Sequence, residues 1–117
     1  IGPLEKIFTK DQARRLHPKA GEIALVGTKP AGVSAPNHYL ALYIFSLATG
    51  ATVSNMKVTI SIVLPNGTAR LEPTSSVMQG IGVGPSDRHY GANVSLPNGP
   101  YRVLVQVEEP SSSFDFS

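Results

Sequence analysis

The sequence predicts an all-β domain, an antiparallel β-sandwich with one short helix near its N-terminus. Three observations lead to this fold class. Several short runs alternate apolar and polar residues with the period of two that is typical of half-buried strands. Turn-forming residues separate these runs at close intervals, and no strand–helix–strand alternation occurs. The 117 residues are the size of one domain, so we predict a single sandwich over residues 1–117.

The composition excludes several classes of function. The net charge of +2 is not gathered into a basic run interleaved with aromatic residues, so no nucleic-acid binding is predicted. No stretch approaches the roughly 20 apolar residues of a membrane span. Because cysteine is absent, a metal would need His, Met, carboxylate or backbone oxygen as ligands. The start at Ile1, without a signal-like stretch, is typical of a processed mature protein or an excised domain.

Residues 1–20 are predicted to form an N-terminal extension that carries the helix. Thr9 and Gln12 have the spacing of a capping box, in which each side chain bonds the backbone amide of the other residue. A helix from about Lys10 to Leu16 follows, and Pro18 ends it because proline disfavours helical geometry in the preceding residue. The basic residues of this helix favour a solvated face over a contact with an acidic partner.

Three strands are predicted next along the chain. Residues 22–26 form the first, and a Gly/Pro-rich loop over 27–36 leads to the second. The run 38–47 is apolar on both alternations, which is typical of a central strand. In the run 56–64 apolar residues share one face, opposite lysine, threonine and serine, as in a half-buried strand.

Leu-Pro-Asn-Gly occurs twice, at 64–67 and at 96–99, and Asn-Gly tolerates the positive φ angles of tight turns. We therefore predict two hairpins. The second joins a strand beginning at His89 to a strand whose apolar alternation faces the core. A flexible Gly/Ser-rich loop over 74–88 leads into His89, and residues 111–117 form a Ser-rich tail.

The second predicted hairpin carries a family resemblance. Residues 89–93 read His-Tyr-Gly-Ala-Asn, Gly99 is followed by Tyr101-Arg102-Val103, and the strand ends in Glu109-Pro110. This segment, about a fifth of the chain, resembles the periplasmic P19-type iron-transport proteins. The resemblance implies an immunoglobulin-like sandwich, a copper ligand at the histidine that opens the strand, and a role in ferrous iron uptake.

The resemblance singles out three candidate metal ligands, His89, His38 and Met78. His89 opens its strand off the predicted core face; a surface histidine that caps the strand is the alternative. His38 opens the central strand, and a structural histidine bonded to a backbone carbonyl is equally compatible. Met78 lies upstream of His89, where the family places a methionine, and loop or core filling is the alternative. Because a thioether suits Cu(I), the set favours copper, with iron as the second metal.

The chain also departs from the family. Gln106 stands where the family has a histidine, and the Ser-rich tail replaces a histidine-rich segment. These losses should weaken or abolish tight metal binding. The sequence thus leaves two functions: a non-catalytic, periplasmic or secreted metal-binding protein, or a metal-free interaction or accessory module of a larger envelope protein. A homodimer and an envelope transport protein are the candidate partners. An enzyme is disfavoured because no nucleophile elbow or paired carboxylates are apparent.

Overall fold

The computed structural model describes residues 1–28, 33–65, 67 and 69–109. The predicted tail, residues 111–117, and Asn66 of the first predicted turn lie outside the described residues. The chain is mostly β-structure, with two sheets and one short α-helix among the described residues. The elements in chain order are β1 (Gly2–Pro3), β2 (Ile7–Phe8), α1 (Lys10–Leu16), β3 (Ile23–Leu25), β4 (His38–Leu42), β5 (Lys57–Val63), β6 (Arg70–Leu71), β7 (Ser76–Gly80), a 3-10 turn (Pro85–Asp87), β8 (His89–Val94) and β9 (Arg102–Glu108).

Two sheets pack face to face around the main core. One has six strands in the order β1-β4-β8-β7-β3-β2, and the other has three in the order β6-β5-β9. All the described strand pairs are antiparallel except β2 with β3. The predicted β-sandwich-like architecture is therefore confirmed. The core between the sheets comprises Leu40, Ile60, Ile62, Ala92, Val94 and Leu96.

The local predictions near the N-terminus and in β5 are confirmed. Thr9 caps α1: its hydroxyl accepts from the Gln12 amide at 3.2 Å, and the Gln12 side chain accepts from the Thr9 amide at 2.9 Å. His17 ends the helix with a left-handed φ of 46°, directly before Pro18. In β5, alternate apolar residues face the other sheet, as a period of two requires.

The predicted loop over 74–88 is wrong in its first half, because it contains the strand β7. This strand lies inside the six-stranded sheet, between β8 and β3. Serine and glycine, which are poor strand formers, occupy two of its buried positions. Gly80 is needed because a Cβ atom there would lie 2.7 Å from the Asp87 carboxylate. Tertiary contacts therefore override weak local propensity in this strand.

The second predicted hairpin is also wrong, although the first is confirmed. Residues 64–67 join β5 to β6, which pair antiparallel. Residues 96–99 instead carry the chain from one sheet to the other, since β8 pairs with β4 and β7 while β9 pairs with β5. The prediction that the apolar residues of β9 face the core is wrong as well. These residues remain about 40% exposed at the sheet edge. Turn chemistry reverses the chain but does not select the strand's partner.

The six-stranded sheet is curved around the face that lies opposite the main core, which we call its second face. Strands β1 and β2 lie at opposite edges, about 24 Å apart in a flat sheet at a spacing of ~4.8 Å. Only residues 4–6 connect them, and four residue steps span at most ~14 Å. The sheet must therefore be curved, with residues 4–6 crossing over its second face. The Asn93 side chain fixes this crossing, because its amide donates to the Glu5 carbonyl at 2.9 Å.

Candidate functional site

Two of the three predicted ligands meet on this second, curled face. Met78 on β7 lies directly opposite His89 on β8 in the antiparallel register. The exposed fractions are 0% for Met78 and 1% for His89. The alternation placed His89 on the face away from the main core, which the structure confirms. The alternative of a surface histidine is wrong, because a second apolar cluster, Ile23, Leu25, Tyr39 and Met78, covers this face and buries His89.

Both ring nitrogens of His89 have hydrogen-bond partners. Nδ1 lies 2.6 Å from the Asp87 backbone carbonyl oxygen, and Nε2 lies 2.8 Å from the Tyr39 hydroxyl oxygen. Because a carbonyl only accepts, Nδ1 carries a hydrogen and donates it. In the neutral imidazole the lone pair is then on Nε2 and accepts from the Tyr39 hydroxyl. A backbone carbonyl on Nδ1 is also a common way to orient a histidine whose other nitrogen binds a metal.

Asp87 holds the loop that precedes His89. One carboxylate oxygen accepts from the Tyr43 hydroxyl at 2.6 Å, and the other accepts from the Gly80 amide at 2.7 Å. The Tyr43 ring packs on the imidazole of His89 with a centroid distance of 4.7 Å. The nearer Asp87 carboxylate oxygen is 3.8 Å from Nδ1 of His89. A positive charge on the imidazole would therefore lie beside a carboxylate.

Gly91 provides the space in which the side chains of Tyr39 and Met78 pack beside His89. A Cβ atom at this position would overlap the Tyr39 hydroxyl, and it would lie 2.7 Å from Cζ of Tyr39 and 2.9 Å from Cγ of Met78. The phenol of Tyr39 thus lies against the bare backbone of β8. A glycine within a strand often marks such a close approach.

The surroundings of the two tyrosines keep their hydroxyls protonated to a more alkaline pH than usual. Burial raises the pKa of Tyr39 well above its ordinary value, and the negative charges of Glu5 and Asp87 act in the same direction. Burial and the hydrogen bond to Asp87 raise the pKa of Tyr43 to about 12. Tyr39 is therefore a neutral hydrogen-bond donor to His89, and a phenolate ligand is disfavoured.

His38 does not join the other two ligands. It pairs with Val94, at the end of β4 far from His89, and Val94 is five positions along β8 from His89, a distance of about 17 Å. The prediction that His38 and His89 are ligands of one metal is wrong because β4 and β8 run in opposite directions, which puts their first residues at opposite ends of the pair. Nδ1 of His38 bonds the side-chain oxygen of Asn37 at 2.8 Å, not a backbone carbonyl. Gln106 lies in the other sheet, opposite Thr59.

Sequence reasoning missed the residues that surround His89: Tyr39, Tyr43 and Asp87. The sequence contained part of this information, since Tyr39 and Tyr43 are four positions apart and therefore lie on the same face of β4 and the residues that extend it. Gly91 on the neighbouring strand left room for a large side chain. The pairing of β4 with β8 was needed to connect these facts.

The donor set around His89 is soft and neutral. One imidazole nitrogen and one thioether lie on facing residues, with a protonated phenol on the nitrogen. Such donors suit a soft monovalent ion better than a hard cation. Within the described ranges, no group of three or more His, Cys, Asp and Glu side chains could hold a metal ion. A metal at His89 would therefore depend on Met78.

Comparison with protein families, characterised proteins and solved structures finds no match to this chain. Among residues 1–28, 33–65, 67 and 69–109, no helix has the length and hydropathy of a membrane span.

Proposed function

We propose that this protein is a non-catalytic, copper-binding β-sandwich in which His89 and Met78 hold Cu(I). The observation that carries the proposal is the direct pairing of these two residues across β7 and β8. The family resemblance implies a ligand at His89, and the strand pairing places Met78 directly opposite it. His38 is not part of this site.

The charge balance favours Cu(I) over Cu(II). The donors of His89 and Met78 are neutral, and the raised pKa of Tyr39 opposes the phenolate that a divalent ion would recruit. The Asp87 carboxylate is 3.8 Å from Nδ1 of His89, on the side of the ring away from Nε2, so a single positive charge costs less to bury at Nε2 than a double one. Copper bound at Nε2 must displace the hydrogen bond from the Tyr39 hydroxyl.

The wider assignment follows from the resemblance alone. We propose an immunoglobulin-like sandwich, a periplasmic or extracellular location, and a role beside ferrous iron uptake with an envelope transport partner. The two facing sheets are compatible with this assignment.

Anaerobic competition titration with Cu(I) and a chromophoric chelator tests the site. We expect one Cu(I) per chain with a dissociation constant in the micromolar range or below. Met78→Leu should weaken binding by at least tenfold, about 1.4 kcal/mol. This variant conserves volume, so the fold should survive. The matched controls are Met56→Leu and His38→Ala, which alter the other methionine and a histidine about 17 Å from His89.

Tyr39→Phe gives a second, opposite readout. Because the Tyr39 hydroxyl occupies the Nε2 lone pair, its removal should make Cu(I) binding tighter in protein that remains folded. Wild-type binding no tighter than millimolar, or equal affinities for Met78→Leu and Met56→Leu, would reject the copper proposal.

The second candidate is a metal-free interaction or accessory module of a larger envelope protein. The observation that favours it is the complete hydrogen bonding of the buried His89 ring. Under this function His89 is a structural residue that ties the loop at Asp87 to β4. The same titration distinguishes the two, since a metal-free module shows no specific Cu(I) site.

A further inference from the structure

The outer edge of β9 combines backbone groups open to pairing with exposed apolar side chains. β9 pairs with β5 along one side, and no strand in the described part of the chain pairs with its other side. Four of its seven residues are large and apolar and are each between 40% and 43% exposed: Val103, Leu104, Val105 and Val107. Strand edges of this kind pair readily with another strand.

The features that usually protect an edge strand are missing from β9. Natural edges carry a central charge, a proline or a bulge that prevents pairing with other chains. β9 pairs with β5 in continuous register from Arg102 to Glu108. Its charged residues stand only at the two ends, and the five residues between them are uncharged. Among the residues that the structure describes, the edge is therefore open over its whole length, about 24 Å.

The order of charges makes the strand complementary to itself. In an antiparallel pair of two β9 strands centred on Val105, Arg102 of each copy lies opposite Glu108 of the other. The valines at 103 and 107 face each other, and Val105 faces its own copy. Opposite charges across an antiparallel pair are favourable. A parallel pair in register would bring like charges together at both ends, so the charges select direction and register.

We propose that the protein forms a two-fold symmetric dimer through antiparallel pairing of β9 with β9 of a second copy. The two three-stranded sheets then form one continuous six-stranded sheet. Whether the two Val105 residues form a hydrogen-bonded or a non-hydrogen-bonded pair, the antiparallel strands make about six to eight main-chain hydrogen bonds across the axis. This contact is isologous and closes on itself, so it stops at two chains. It removes the open edge and is independent of copper.

The strand is short, so the dimer should be of moderate strength. A seven-residue edge covers less than the roughly 800 Å² per partner that a standard stable interface buries. We expect a dissociation constant in the micromolar range, measured by sedimentation equilibrium of the full chain from low micromolar to near-millimolar concentration.

Charge reversal tests the register. Arg102→Glu alone places like charges opposite each other at both ends of the pair, and so does Glu108→Arg. Each single variant should raise the dissociation constant by at least tenfold. A mixture of the two variants restores both opposite-charge pairs, so it should form heterodimers with near wild-type affinity. Arg70→Glu, on the far edge strand β6, is the matched control and should leave dimerisation unchanged.

Val105→Lys places two lysines together at the axis and should give a monomer with an unchanged far-UV circular dichroism spectrum. The proposal is overturned if wild type is monomeric at near-millimolar concentration or forms open-ended aggregates. It is equally overturned if the mixed charge variants fail to recover dimerisation. Recovery in the mixture cannot result from altered folding, because each chain keeps its own substitution.

Discussion

Gly91→Ala should destabilise the protein strongly, because the cluster around His89 depends on the absence of a Cβ atom at this position. The added methyl overlaps the Tyr39 hydroxyl and lies 2.7 Å from Cζ and 2.9 Å from Cγ of Met78. Met78 is fully buried and opposite His89, so neither side chain has open space to move into. Overpacking of this kind costs about 1–3 kcal/mol.

A second cost arises if Tyr39 moves away. Nε2 of His89 then loses its hydrogen bond in a buried position, which costs a further ~1–3 kcal/mol. The sum of about 2–6 kcal/mol is a large part of the roughly 5–15 kcal/mol total stability typical of a domain. With a urea m-value of about 1–3 kcal/mol/M, the unfolding midpoint should fall by at least ~0.7 M.

Urea unfolding at neutral pH, followed by circular dichroism, measures the effect. Gly2→Ala is the matched control, since a Cβ atom at Gly2 meets nothing within 4 Å. Tyr39→Phe removes the nearest obstructing atom, so combined with Gly91→Ala it should cost less than the sum of the two single changes. Equal unfolding free energies for Gly91→Ala and Gly2→Ala would refute the packing described for this face.

Two further predictions concern the sheet connection and alkaline pH. Gly99 has φ of 132°, and a Cβ atom there would lie 2.7 Å from Cγ of Pro65. Gly99→Val should therefore lower the free energy of unfolding by about 1–3 kcal/mol in the same urea assay. An unchanged midpoint would contradict the conformation described for the connection between the two sheets. Tyr43 has a folded-state pKa of about 12 against 10.0 ordinarily, so the unfolded chain loses its phenolic proton first, and stability should fall as pH rises from 10 to about 12. Tyr43→Phe should flatten this decline in urea midpoints, and an identical slope would argue against the Asp87 contact.

Local sequence determined several elements of this protein almost completely. The capping box and Pro18 set both ends of α1, because every interaction involved lies within a few residues of chain. The alternation of β5 selected the residues that face the other sheet. The first Leu-Pro-Asn-Gly turn has β5 and β6 as its flanking strands, and these pair directly. In each case the energetic preference is short-range.

Only the tertiary structure decided which strands became neighbours, and the candidate site depends on that choice. The identical second turn leads out of one sheet into the other, so β9 became an edge and Met78 gained His89 as its partner. Strand direction separated His38 from His89, although each opens its own strand. Strand pairing satisfies backbone groups of residues far apart in sequence, and those groups are the same in every residue except proline. Which pairing prevails depends on the packing of side chains over both faces of the finished sheet.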